Sequence, residues 1–297
     1  MTAVEATTLT ITGRDGTPVF VRRWCAQGTT PADAKAAVQI AHGMGEHSQR
    51  YARFATALVA AGYVAYGNDH RGHGHTALDA DHFGDLGPNG WNELVNDQLV
   101  LGAHIDAETN GAPRVMFAHS MGSFALQQLI LDHSATFAAA ILSGTSAVDA
   151  LAATVPQDDS PADLSGFNTQ FEPARTESDW LSRDEAEVDK YVTDPMCGFG
   201  VSAAGLREMA ASAGRAADPA VLAQIRNDLP LLMISGSDDP LALGLVLTEL
   251  VAQRYRDAGL SRVNAIWYTD GRHELLNEIN RDEVTADVIS WIKREVA

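Results

Sequence analysis

Short apolar runs alternate with longer segments of mixed polarity along most of this chain. Uninterrupted apolar runs bounded by turns are typical of strands buried on both faces of a parallel sheet. The longer segments have the length and the polar face of surface helices. This alternation predicts an α/β fold with a doubly wound, mostly parallel sheet. The predicted strands lie near 37–41, 63–67, 114–118, 138–142, 231–235 and 264–268, and the predicted helices near 50–61, 91–107, 123–132, 243–258 and 282–295.

The first residues follow a different pattern. Thr8–Thr12 and Val19–Trp24 are rich in β-branched and aromatic residues and flank Asp15-Gly16. An Asp-Gly pair between two such runs predicts a β-hairpin.

The alternation stops after Ser143 and resumes at Leu229. We predict a core formed by residues 1–145 and 229–297, and an insertion of residues 146–228. The insertion holds six basic and fifteen acidic residues, so its net charge is half of the net charge of the whole chain. Its apolar patches are expected to pack it on the core, and lining of a substrate channel is the alternative for some of them. These patches are Trp180-Leu181, Tyr191-Val192 and Met196–Phe199.

A serine stands at the turn between a predicted strand and a predicted helix. Ser120 follows the strand near 114–118, and the helix begins near Ser123. Ala118 and Gly122, two positions before and after it, are small, as a sharp turn requires. A sharp strand-to-helix turn is one way to present a nucleophilic serine.

Two later loops offer an acid and a base. Gly236–Pro240 contains Asp238 and Asp239, and its Gly-x-x-Asp-Pro pattern favours Asp239 and leaves Asp238 as a surface or supporting acid. His273 lies in the loop after the last predicted strand. A neutral imidazole can take the proton of a serine hydroxyl, and a buried carboxylate fixes the imidazole tautomer. Each residue alone is more often structural, but their order after Ser120, each behind a strand, predicts a catalytic triad.

The loop after the first core strand, His42–His47, has the His-Gly-x-Gly pattern. Such a loop supplies one backbone donor of an oxyanion hole, and the residue after the nucleophile supplies the other. We therefore predict the N–H groups of Met44 and Met121 as the two donors. Gly43 and Gly45 let the main chain approach a substrate carbonyl without a Cβ clash.

Histidines are concentrated in Asn68–His75, with His82 beyond. Their spacing is not that of a helical zinc pair, and no cysteine or Glu-x-x-His partner is near. A hydrogen-bonded turn beneath the site is the favoured interpretation, and a metal site is the alternative. Glu46 and His47 are expected to support the site, with substrate contact as the lesser alternative. We predict no metal and no cofactor.

As a set, these motifs resemble the monoacylglycerol lipase and lysophospholipase branch of the α/β-hydrolases. The resemblance implies the α/β-hydrolase fold with an inserted helical cap, mobile over an acyl pocket. It also implies a serine carboxylester hydrolase acting on monoacylglycerols, lysophospholipids or similar single-chain esters. Ala118 stands where the family usually has glycine. The matching segments are His42–His47 with Arg50-Tyr51, Asp69–Gly74, His119–Gly122, Gly236–Pro240 and His273-Glu274.

Composition narrows the expected partners and compartment. With 297 residues and 45% hydrophobic content, the chain is an ordinary globular protein. No apolar run approaches membrane-spanning length, and the first residues lack the features of a signal peptide. Cys25 and Cys197, the only cysteines, are expected to be reduced. We therefore expect a cytoplasmic protein that contacts a membrane or lipid surface at most transiently, through the insertion.

The net charge of −18 predicts that nucleic acid is not a partner, because a polyanion would be repelled. The expected partner is a small-molecule ester, and the oligomeric state is left open. Arginine carries nearly all of the positive charge, since the chain has three lysines.

These observations predict a serine ester hydrolase that forms an acyl-enzyme, first of all a monoacylglycerol lipase or esterase. Lysophospholipase, thioesterase and acyltransferase activities on the same triad are the alternatives. A ligand sensor with slow turnover is the alternative outside enzymes. Epoxide hydrolase and dehalogenase chemistry is disfavoured, because those enzymes have Asp where this chain has Ser120.

Overall fold

The computed structural model describes residues 3–152 and 159–296. Within them lie eight strands: β1 (Val4–Thr12), β2 (Pro18–Ala26), β3 (Ala37–Ala41), β4 (Val64–Asn68), β5 (Arg114–His119), β6 (Ala139–Ser143), β7 (Leu231–Gly236) and β8 (Val263–Tyr268). They form a sheet in the order β1-β2-β4-β3-β5-β6-β7-β8. The hairpin β1–β2 and the pair β2–β4 are antiparallel, and all other neighbours are parallel. The predicted mostly parallel sheet with an N-terminal hairpin is confirmed.

The helices are α1 (Ala52–Ala60), α2 (Gly90–Glu108), α3 (Met121–His133), α4 (Val148–Ala152), α5 (Glu185–Thr193), α6 (Ala203–Ala213), α7 (Pro219–Leu222), α8 (Val246–Asp257) and α9 (Arg281–Glu295). Five of them correspond to the predicted helices, and α4–α7 lie between β6 and β7. The helix predicted from 243 begins at Val246, because Leu243 and Leu245 have left-handed backbones, with φ of 47° and 72°. No helix of the described chain has both the length and the apolar character of a membrane span.

Two apolar layers cover the sheet, one on each face. On β5, Met116 and Ala118 pack with side chains of α2, α3 and α8, whereas Val115 and Phe117 pack with side chains of α1 and α9. All four side chains are fully buried. Because successive strand residues point to opposite faces, burial on both faces produces the unbroken apolar runs seen in the sequence.

The insertion packs on the first of these layers. Its buried apolar side chains belong to the same cluster as Met121 and Phe124 of α3; they are Trp180, Leu181, Tyr191, Val201, Leu206 and Met209. The prediction that the patch Tyr191-Val192 packs on the core is wrong for Val192, which is 52% exposed. Val192 follows Tyr191 on α5, and one residue turns a helix by about 100°, which carries its side chain away from the core.

Candidate active site

Ser120 lies at the sharp turn that joins β5 to α3. Its backbone has φ 50° and ψ −122°, a conformation that residues other than glycine rarely adopt. The Ser120 N–H donates to the Ser143 carbonyl at 2.9 Å, which fixes the turn against β6. A Cβ added at Gly122 would lie 2.5 Å from the Ala41 carbonyl oxygen. The small residue that the sequence has at Gly122 is therefore required by a close approach of β3.

Ala118 is fully buried on β5, where it pairs with Ala41 on one side and Leu142 on the other. We expect Ala118→Val to lower activity, because two added methyl groups in a packed core typically cost about 1–3 kcal/mol and would move the turn that holds Ser120. Ala118→Gly should be tolerated. Steady-state kcat/KM and thermal unfolding of both variants measure this. A valine variant with full activity would show that the turn does not depend on this contact.

His273 is buried beside Asp239. Its Nδ1 atom lies 2.9 Å from Asp239 Oδ2, and both residues are 1% exposed. The other carboxylate oxygen of Asp239 accepts from the Leu241 N–H at 2.9 Å. Asp238 is exposed, and its carboxylate bonds the hydroxyl of Ser237 instead. Of the two acids considered, it is Asp239 that the fold brings to the histidine.

The pKa of His273 is raised above its ordinary 6.5. Burial opposes the charged form, but the charge and hydrogen bond of Asp239 outweigh burial, and the charges of Glu274 and Glu46 add to the rise. Its Nε2 atom is buried and has no hydrogen-bond partner among the described residues. With Nδ1–H donating to Asp239, Nε2 is the atom able to accept a proton. Nearby His119, with its ring centroid 4.7 Å away, has a pKa lowered to about 4, chiefly by burial, and is neutral.

The two residues whose amides are predicted as oxyanion donors line one cavity together with Ser120. Met44 and Met121 both contribute to its wall. Met121 is the first residue of α3, where a helix leaves its N–H groups without intrahelical partners. The Gly43 N–H donates to Glu46 Oε1 at 2.6 Å, which holds the loop in place. A Cβ at Gly43 would lie 3.1 Å from the Cβ of Ser120, so this loop packs directly against the serine.

A buried cluster of charges ties this loop to the histidine loop. The Nη1 atom of Arg50 donates to Glu46 at 2.8 Å and to Glu274 at 2.5 Å, and its Nη2 atom donates to Glu274 at 2.7 Å. The Tyr51 hydroxyl donates to Glu46 at 2.8 Å. Burial alone would raise the pKa of Glu274, but Arg50 reverses this and lowers it to about 2. The sequence motif contained these residues, but nothing in it indicated that Arg50 pairs with Glu274.

The histidine-rich segment forms a hydrogen-bonded turn. The His70 N–H donates to His42 Nε2 at 2.9 Å, and the His42 and His70 rings lie 4.0 Å apart. The His73 ring packs against the His42 ring, with the two ring centroids 5.3 Å apart. His82 lies apart on the surface, where it pairs with Asp79. Burial lowers the pKa of His70 to about 3 and that of His73 to about 4, so both rings are neutral and act in packing.

The cavity that Ser120 and His273 border has a volume of about 230 Å³. Its remaining wall is mostly apolar, and the insertion supplies much of it. The apolar lining residues are Met44, Met121, Phe124, Leu151, Leu164, Phe167, Trp180, Leu181, Leu206, Met209 and Leu241. A single apolar chain attached to a polar carbonyl at Ser120 suits this arrangement.

Comparisons with known proteins show the family of this chain. The model of the family described as Serine aminopeptidase, S33 matches residues 32–280. Monoacylglycerol lipase of Mycolicibacterium smegmatis is 30% identical over 268 residues, which are 89% of this chain and 90% of that protein. Monoglyceride lipase of Mus musculus is 27% identical over 292 residues, 95% of this chain and 89% of that protein.

Among solved structures, a thermostable carboxyl esterase from Bacillus coagulans in complex with glycerol aligns with a TM-score of 0.85 at 26% identity, over 98% of this chain and 99% of that one. A soluble variant of monoglyceride lipase from Saccharomyces cerevisiae, in complex with a substrate analog, aligns with a TM-score of 0.74 at 19% identity, over 100% of this chain and 96% of that one. The second likeness concerns the fold alone.

Proposed function

This chain belongs to the serine aminopeptidase S33 family and is a serine ester hydrolase of the α/β-hydrolase fold, and we propose that it hydrolyses single-chain carboxylic esters, monoacylglycerols first. The observation that carries the proposal is the position of Ser120 and the Asp239–His273 pair. Ser120 and His273 both line an apolar cavity, and Asp239 is hydrogen-bonded to His273.

In the proposed mechanism, Ser120 Oγ attacks the ester carbonyl while His273 Nε2 takes its proton. Asp239 holds the imidazole through Nδ1 and stabilises the imidazolium that forms. The N–H groups of Met44 and Met121 donate to the oxygen that becomes negative, and one such donor typically contributes about a hundredfold or more in rate. His273 then protonates the leaving alcohol. A water molecule, deprotonated by His273, releases the acid from Ser120.

We assign residues 146–228 the role of a cap over a core of residues 1–145 and 229–297. The side chains of Leu164, Phe167, Leu206 and Met209 support this assignment, because they enclose the cavity from the side of the insertion. The acyl chain of the substrate would lie among them, and the cap would move to admit it.

The test is a panel of monoacylglycerols and lysophospholipids graded by acyl length, with Ser120→Ala as the inactive control. Labelling of Ser120 by a fluorophosphonate should abolish turnover. Labelling without appreciable turnover on any ester would favour the ligand sensor. A new ester formed in the presence of an added alcohol would favour the acyltransferase.

We expect neutral monoacylglycerols to be preferred over anionic lysophospholipids of equal acyl length. The insertion carries much of the chain's negative charge, and Asp163, Glu46 and Glu274 border the cavity itself. The preference should shrink as salt rises, because exposed charges are screened over about 8 Å at physiological ionic strength. The measurement is kcat/KM for one ester of each kind at low and high salt. A preference for the anionic ester at low salt would contradict it.

A further inference from the structure

Three successive residues of the loop that carries His273 donate hydrogen bonds to four successive residues of the insertion. The insertion offers the carbonyl groups of Asp179–Ser182, and the guanidinium of Arg272 also lies 4.2 Å from the ring centroid of Phe171. The bonds run from Arg272 Nη1 to Asp179 O (2.5 Å) and Ser182 O (3.2 Å), from His273 N to Trp180 O (3.4 Å), and from Glu274 N to Leu181 O (2.7 Å). Segments some ninety residues apart are thus held together around the histidine.

Trp180 also contacts the imidazole itself. Its ring lies 4.9 Å from the His273 ring, with the planes at 36°. Trp180 is 5% exposed, packs against Phe167 at 5.1 Å, and donates its backbone N–H to Asn168 at 2.8 Å. The indole is therefore held by the insertion and, in turn, covers one face of the imidazole.

We propose that Trp180 is a positioning residue for the general base, so that the site is complete only while the insertion is docked. The proposal rests on the role proposed above for His273. Within the described chain, the His273 side chain has one hydrogen bond, from Nδ1 to Asp239. One bond leaves the ring able to turn about it, and the rings of Trp180 and His119, with centroids 4.9 Å and 4.7 Å from that of His273, restrict that turn. A displacement of about 1 Å in a catalytic group can cost a hundredfold in rate.

This arrangement couples substrate entry to catalysis. Lifting the insertion to admit an acyl chain would break the bonds to Arg272, His273 and Glu274 together. The base would then be disordered while the site is open to water, and it would be restored when the insertion docks over the bound ester.

The first test uses Trp180→Ala and Trp180→Phe with p-nitrophenyl acetate, whose short acyl group needs little of the cavity. We expect the alanine variant to lose roughly ten- to a hundredfold in kcat with KM changed by less than about threefold, and the phenylalanine variant to recover most of kcat. Arg215→Ala is the matched control. It breaks an exposed pair between the insertion and Asp132, at the end of α3 opposite Ser120, and should leave kcat within about twofold.

The second test needs no turnover. A protonated imidazole quenches an indole in contact with it, so a pH titration of fluorescence should show a step above pH 6.5, where His273 titrates. The step should disappear in Trp180→Phe and in His273→Ala and persist in Trp91→Phe. The titratable groups that face His273 are Asp239, His119, Glu274 and Glu46.

A Trp180→Ala enzyme with kcat within about twofold of wild type, or with only KM changed, would overturn the proposal and make Trp180 a wall of the cavity. Loss of the fluorescence step in Trp91→Phe rather than in Trp180→Phe would also overturn it. If the alanine variant does not fold, Trp180→Leu and the wild-type titration decide. A fluorescence step without ester turnover would sink the proposed function and show only that Trp180 contacts His273, whereas turnover with an unchanged Trp180→Ala kcat would sink the positioning role alone.

Discussion

Ser120→Ala, His273→Ala and Asp239→Asn are each expected to lower kcat by roughly ten-thousandfold or more. In the proposed mechanism, serine supplies the bond to the acyl group and histidine moves the proton, and the asparagine amide would favour the wrong imidazole tautomer. The losses should not add in double variants, because the three groups act in one step. Steady-state kinetics on a short ester measures kcat, and urea unfolding shows whether each variant keeps its fold.

Asp238→Asn is the matched control for Asp239→Asn. Its carboxylate is exposed and hydrogen-bonds its neighbour Ser237, so the variant should keep nearly full activity. An inactive Asp238→Asn beside an active Asp239→Asn would refute the choice of acid. Equal loss in both variants would point to the shape of the loop rather than to one carboxylate.

Arg50→Ala is expected to lower the free energy of unfolding by about 3–5 kcal/mol, because it leaves Glu46 and Glu274 buried without their cation. Arg50 lowers the pKa of Glu274 from 4.5 to about 2 in the folded protein. The stabilisation from this pair is therefore present above about pH 4.5 and lost as the pH falls towards 2. The difference between wild type and variant in urea unfolding should shrink over the same range.

Arg215→Ala again provides the comparison. Arg215 pairs with Asp132, but its side chain is 46% exposed, so its loss should cost less than about 1 kcal/mol. An Arg50→Ala protein that loses no more than this would show that the cluster near His273 is well solvated and that its charges contribute little.

Local patterns explain why much of the fold and the candidate triad could be predicted. A strand buried on both faces appears in the sequence as an apolar run, and the residues after it lie at the edge of the sheet where strand ends meet. Ser120 and Asp239 each follow such a run, and His273 follows β8, an edge strand that is only partly buried. Because β5, β7 and β8 run parallel in one sheet, the loops that follow them lie at the same edge of that sheet.

Long-range pairs could not be predicted in this way. Arg50 and Glu274 are 224 positions apart, and Trp180 lies in a single helical turn of the insertion, Asp179–Leu181. A charged or aromatic residue has many possible partners, and a single sequence does not choose among them. The exposure of Val192 was missed for a related reason, since an apolar pair on a helix has one member facing inward and one turned away.

The left-handed backbone at Ser120 means that the protein is less stable with serine there than it would be with glycine. Such a conformation costs a residue with a side chain on the order of 1–3 kcal/mol, whereas glycine adopts it readily. Mutation and drift under selection for stability alone would tend to replace this serine. A serine at this strained position is therefore expected where the reaction needs it, at a cost to the stability of the fold.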